Sequence, residues 1–183
     1  MTRMRLDQFD NADYRPGPLL KRVLWYGVSL LVFETGVPWP SAIKRFWLRA
    51  FGAKLSKGVV IKPRVRIKYP WNLTVGAHSW IGEGVWIDNL DDVTIGAHCC
   101  VSQGAYLLCG NHDYSIATFD LITRPIVMED GSWAGAQSIL GPGAVLGTEA
   151  VLTAGSVGLG ALSPHHIHQG NPAQPVRKRE INP

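Results

Sequence analysis

A chain of 183 residues is long enough for one compact domain and too short for separate cofactor and substrate domains. Hydrophobic residues at 46% and charged residues at 17% exclude a disordered chain and a coiled coil, while 20 Gly and 12 Pro suit a turn-dense, all-β fold. Residues 1–68 hold 14 Lys/Arg against 4 Asp/Glu, net +10, and residues 69–183 hold 4 against 10, net −6. The basic part predicts an anionic partner surface, and its apolar neighbours favour phospholipid; no nucleic acid is expected. Cys99, Cys100 and Cys109 form no CxxC pair and cannot all pair together, so a reducing compartment is expected.

Leu19 to Phe33 is apolar apart from Lys21, Arg22 and Ser29, and its 15 residues fall short of a bilayer span. No small-residue cleavage site follows it, and acidic residues precede it, unlike a secretory signal. Leu20, Val23, Leu24, Gly27, Val28 and Leu31 fall on one helical stripe, widened by Leu19, Tyr26 and Leu30, and Pro38 and Pro40 stop it. A second helix is predicted after Ser41 as N-cap, with Ile43, Phe46, Trp47, Ala50 and Phe51 on one face and Gly52 ending it. Lys44, Arg45 and Arg49 fall elsewhere. Two accounts stay open: the helices cap the body of the protein, or they lie apolar face down on an anionic membrane.

From residue 59 onward the sequence repeats every six residues. Ala134, Leu140, Leu146 and Leu152 begin the consecutive hexads AGAQSI, LGPGAV, LGTEAV and LTAGSV. The phase recurs upstream as VGAHSW and IGEGVW, then as IGAHCC and VSQGAY, with looser copies from Ile61 and Ile67. A period of six gives no constant helical face, but it makes one side of a triangular β-solenoid. The steps from Ile67 to Val75 and from Ile87 to Ile95 are eight residues, which predicts a two-residue bulge at equivalent corners. LTVGAHSW at Leu73 accordingly returns as VTIGAHCC at Val93.

These hexads resemble the left-handed β-helix hexapeptide-repeat acyltransferases, and FGAKLSKGVVIKPRVRIKYPWNLTVG is similar to the colanic acid biosynthesis acetyltransferase subgroup. The resemblance implies a left-handed parallel β-helix over residues 55–176, a basic helical region over 1–54 and a basic tail over 177–183. It also implies a homotrimer with active sites between neighbouring prisms, and acetyl-CoA as donor substrate with no metal.

The stretch Cys109 to Gly131 carries no hexad phase and reads as a projecting loop. Its GNHDY motif matches the family's catalytic loop, which makes His112 the general base; imidazole suits removal of a hydroxyl proton near neutral pH. In DGSWAGA, Trp133 resembles the tryptophan beside the pantetheine arm, and the Ala136 N–H resembles the donor to the thioester oxygen. Main-chain groups of Ala154, Gly155 and Ser156 are expected along the same arm. GNPA, with Pro172, is expected beside the adenine, and Arg177, Lys178 or Arg179 at the 3′-phosphate.

Asp88 and Asn89 in the bulge, and Asp113 and Tyr114 beside His112, are the acceptor-binding candidates. Trp80 and Trp86 suit either stacking on a sugar or packing between subunits. His78 and His98 should stack one coil apart. Zinc-type carbonic anhydrases of the resembled fold bind metal through histidines that include a pair five residues apart, and since no such pair stands near the loop here, no metal is expected. His165, His166 and His168 read as loop residues or a casual metal site.

The expected activity is acetyl transfer from acetyl-CoA to a sugar hydroxyl of an exopolysaccharide repeat unit or its lipid-linked precursor, at the cytoplasmic membrane face. The alternatives are an acetyltransferase for a soluble sugar or other small alcohol or amine, and a non-catalytic solenoid scaffold.

Overall fold

In the computed structural model, which describes residues 3–182, each hexad forms one short strand and one turn. The strands pair in parallel, coil on coil, into three faces of six, seven and five strands, apart from an antiparallel return at the end of the second. The first face runs Lys54–Leu55, Leu73–Val75, Val93–Ile95, Ile126–Met128, Val145–Leu146, Ala161–Leu162. The second runs Val60–Ile61, Trp80–Ile81, Cys100–Val101, Trp133–Ala134, Val151–Leu152, His166–Gly170, and ends on Ala173–Lys178. Arg66–Ile67, Trp86–Asp88, Tyr106–Leu108, Ile139–Leu140 and Val157–Gly158 make the third. Leu73 pairs with Val93 and Val75 with Ile95, so the eight-residue steps do make 20-residue coils; Trp133 pairs with Val151, an 18-residue coil.

One aliphatic residue per hexad points inward, and equivalent residues stack. Ile61, Ile81, Val101, Ala134 and Leu152 form one such column, each at most 2% exposed, and each large aliphatic buried this way contributes about 1.5–3 kcal/mol. His168 ends this column: it is buried, with Nε2 3.1 Å from the Ser163 carbonyl, and is a core residue rather than a loop one.

The fourth hexad position turns the corner in the left-handed backbone region. Gly fills it in several coils, but Arg64, His78, His98, Gln137, Glu149 and His165 also adopt φ near +56° to +60° there. His78 and His98 stack at 5.3 Å because they occupy this corner in consecutive coils.

The projecting segment is shorter than its sequence suggests. It leaves after Cys109, and Ile126–Met128 already pairs with Val93–Ile95, so residues 126–131 belong to the solenoid. Glu129 stands where other coils carry Gly after the inward aliphatic residue, which hid the phase. What projects is a hairpin, Gly110–His112 antiparallel to Leu121–Thr123. The basic tail is not separate either, since Arg177 pairs with Ile167.

Two helices cover the first coil: α1, Leu19–Val28, continued by a π-helical turn Ser29–Phe33, and α2, Ser41–Ala50. The stripe read from the sequence of α1 does not pack on the body. The face of α1 that packs inward carries Trp25, Ser29 and Phe33, while Leu20, Val23, Leu24 and Leu31 are 70%, 59%, 55% and 74% exposed. In α2 the cations face the body. Lys44 Nζ donates to the Lys62 carbonyl at 2.6 Å, Arg45 to Val59 at 2.7 Å and Arg49 to Leu55 at 2.9 Å, closing carbonyls at the open end of the solenoid. Burial lowers the Lys44 pKa. Ser41 is not the N-cap; that place belongs to Pro40, and the Ser41 hydroxyl accepts from the Ile61 N–H at 3.0 Å. Gly52 ends α2 as expected, at φ +102°, with Gly52 N bonded to Arg49 O and Ala53 N to Leu48 O. Among the described residues, no helix is long and apolar enough to cross a membrane.

Candidate active site

Trp133, Ala136, Ala154 and Arg177 line one groove of about 550 Å³, joined by Ser102, Gln103 and Thr153. It lies along the edge between the second and third faces. Trp133 is 44% exposed there, its indole N–H held at 2.8 Å by Ser102 Oγ. The third hexad position presents an outward N–H at each corner. Along the edge between the first and second faces, acids satisfy two of these: Asp130 accepts from Ala97 and Glu129 from Thr148, both at 2.7 Å. In the groove, Ala136 N–H and Ala154 N–H donate to no acceptor among the described residues. Gly135 lets these coils approach, since a Cβ there would sit 2.6 Å from Ala154 N.

Most of the remaining residues expected along the donor fall outside. Gly155 N–H is spent on the Ala136 carbonyl at 2.9 Å. Ser156 is buried, its main chain used within the solenoid and its hydroxyl shared between Thr153 and Gly170. Pro172 sits exposed at a hairpin tip, and neither it nor Lys178 lines the groove. Arg179 lines the groove but is held by Glu149 at 3.1 Å and the Gly131 carbonyl at 2.8 Å. Ser102, Gln103 and Thr153 were not anticipated; Ser102 and Gln103 hold the same turn as Ala136 one coil earlier, which the hexad alignment already displays.

His112 stands on the hairpin strand. Its Nδ1 lies 2.8 Å from the Phe119 carbonyl, which can only accept, so Nδ1 carries a proton and, in the neutral ring, the lone pair falls on Nε2. The ring stacks on Phe119 at 4.3 Å and meets the edge of Phe9 at 5.6 Å. The segment before α1 follows the hairpin, with Arg5 N bonded to Ala117 O and Tyr14 OH to Leu90 O, both at 2.8 Å.

The acceptor candidates separate. Asn89 is fully buried and bonds both polar groups of the Tyr69 backbone, so it holds the corner rather than a ligand. Asp113 caps its own turn through Ser115, whose hydrogen bonds hold the carboxyl below its usual range. Tyr114 is 80% exposed. Asp88 lies 2.9 Å from Lys68 Nζ and accepts from Tyr106 OH at 3.3 Å, in a second cavity beneath α1. Trp86 borders that cavity, stacked on Tyr106 at 4.6 Å, while Trp80 is 57% exposed beside His78 and His98. No group of three or more His, Cys, Asp or Glu side chains among the described residues could hold a metal ion.

One protomer does not unite the two halves. The groove runs along the edge between the second and third faces, whereas the hairpin leaves the edge between the third and the first, and no hairpin residue lines the groove.

No family model matches the chain. Among solved structures, the hexapeptide-repeat acetyltransferase VCA0836 of Vibrio cholerae superposes with TM-score 0.80 at 21% identity, over 96% of this chain and 98% of that one. A galactoside acetyltransferase in complex with coenzyme A superposes with TM-score 0.77 at 20% identity, over 87% and 80%. The fold is that of the hexapeptide-repeat acetyltransferases. WcaF of Escherichia coli K12, which carries the name of a colanic acid biosynthesis acetyltransferase, is 37% identical over 166 residues, 91% of each chain. The chain belongs to the colanic acid biosynthesis acetyltransferase family.

Proposed function

We propose that the protein transfers an acetyl group from acetyl-CoA to a hydroxyl of a lipid-linked exopolysaccharide sugar, within a homotrimer at the cytoplasmic membrane face. The open N–H groups of Ala136 and Ala154 beside Trp133 carry this reading, because a thioester arm laid in the groove meets donors that nothing else uses. Naming of the relative for colanic acid biosynthesis supports the exopolysaccharide class. Three free thiols, two of them buried, accord with the reducing compartment. Acetyl-CoA supplies the activated acyl carbon. His112 Nε2 takes the hydroxyl proton as the oxygen attacks that carbon, and Phe119 holds the ring for this. Ala136 N–H receives the developing oxyanion, worth roughly 3 kcal/mol for one such donor. The imidazolium then returns the proton to the departing thiolate. A neighbouring copy brings the His112 hairpin to the groove, and the exposed apolar face of α1 rests on the membrane.

Thiol release from acetyl-CoA against a panel of free and lipid-linked sugars tests the reading. Acetyl transfer to a lipid-linked sugar is expected; transfer to none of the sugars would sink it.

A further inference from the structure

A second cavity, of about 540 Å³, opens between α1 and the base of the third face. Leu19, Val23 and Tyr26 form its mouth, and Arg22, Arg66 and Lys68 supply its cations. The two acids present are engaged. Glu34 accepts from the Ser29 hydroxyl at 2.9 Å and lies 3.6 Å from Arg66, and Asp88 Oδ1 lies at ion-pair distance, 2.9 Å, from Lys68 Nζ although it makes no hydrogen bond. Arg22 has no carboxylate within ion-pair distance among the described residues, and its buried Nε has no acceptor. Arg22 is only partly buried, so its Nη groups remain open to an incoming anion while Nε lacks an acceptor.

Two further features say what that anion is attached to. The cavity mouth is continuous with the exposed face of α1, where Leu20, Leu24 and Leu31 extend the apolar surface begun by Leu19 and Val23. At its inner end Asp88 pairs in register with Leu108, the last strand residue before the segment that carries His112. The cavity thus joins an apolar surface to the edge that bears the base.

We propose that this cavity binds the phosphate ester of a lipid-borne acceptor, with Arg22 on the phosphate, the lipid chain along Leu20 and Leu24, and the sugar directed to the His112 edge. It rests on the reading that the acceptor is lipid-linked, and specifies the group recognised.

The test uses the full chain with vesicles of phosphatidylcholine, alone or mixed with phosphatidic acid, and with glucose 1-phosphate free in solution. The protein is expected to float with phosphatidic acid vesicles and at least tenfold less with phosphatidylcholine. Arg22→Gln should lose tenfold or more of the phosphatidic acid binding, and Leu24→Glu should lose binding to both vesicles, with acetyl-CoA affinity and oligomeric mass unchanged in each. Undiminished flotation of Arg22→Gln would overturn the proposal. So would equal affinity for free glucose 1-phosphate, which assigns the site to soluble phosphates, or a changed mass in Leu24→Glu, which assigns the apolar face to a second copy. Failure of the acetyltransfer reading is separate: it would appear as absent transfer to every sugar while flotation persists.

Discussion

In the proposed reaction the donor groove and the His112 hairpin solve the same problem, placing a polar group against a reacting atom, with opposite materials. The groove takes its N–H groups from the third position of successive hexads, so the stack that holds the core also holds Ala136 and Ala154 in line. Packing fixes them whatever their side chains. The hairpin offers a side chain outside that stack, and local contacts must orient it: the Phe119 carbonyl at Nδ1, the Phe119 ring beneath and the Phe9 edge beside. Backbone recognition comes with the repeat, whereas acid–base chemistry requires an interruption of it.

Removing the hairpin's contribution should have the largest effect. His112→Ala is expected to lower turnover by about 10²–10⁴-fold with acetyl-CoA affinity nearly unchanged. A folded variant that keeps more than a tenth of wild-type turnover would remove His112 as the base. Mixing sharpens the separation of the two edges. His112→Ala and a groove variant, Gly135→Leu, are each expected to be nearly inactive alone; with each site drawing on two copies, as proposed, the two co-refolded in equal amounts should recover about a quarter of wild-type activity. Activity no higher than that of the separate variants would place both edges of one site in a single copy.

Asn89→Ala distinguishes a corner brace from an acceptor ligand. It strands the Tyr69 N–H and carbonyl, so the expected loss is about 1–3 kcal/mol of stability, read as a lower melting temperature with the acceptor KM unchanged. A raised acceptor KM at unchanged stability would restore Asn89 to the acceptor site. Trp133→Ala should have the smallest effect, raising the acetyl-CoA KM by roughly tenfold with kcat little altered, as for loss of uniform binding. A fall in kcat at constant KM would mean that the indole acts on the transition state.

The solenoid was legible because each side demands an inward aliphatic residue and a tight corner, and these recur at countable positions such as Ala134, Leu140, Leu146 and Leu152. Trp133 and Ala136, read from DGSWAGA, share one groove, and GNHDY lies on the hairpin; the roles of Trp133, Ala136 and His112 are proposed. The orientation of α1 was left open by its sequence for a physical reason: periodicity marks the apolar stripe but not what it faces, and Trp25 and Phe33 fill the space over the first coil and leave Leu20 and Leu31 outside. Lys44, Arg45 and Arg49 look like a solvated face until the carbonyls of that coil are seen to need donors. Asn89 misled in the same way, its amide being consumed by a backbone that sequence spacing does not display.

Across the hairpin, Trp133 still pairs with Cys100, 33 residues away, where the next coil needs 18. The coils close beneath the insertion as though it were absent. Doubling the length of such an excursion costs only about 0.6 kcal/mol in closure entropy, so lineages can lengthen, trim or exchange the hairpin almost freely. The donor edge need not change when they do. Descendants of one acetyl-CoA scaffold can therefore diversify in the molecules they modify through small local insertions, with little selective drag from stability.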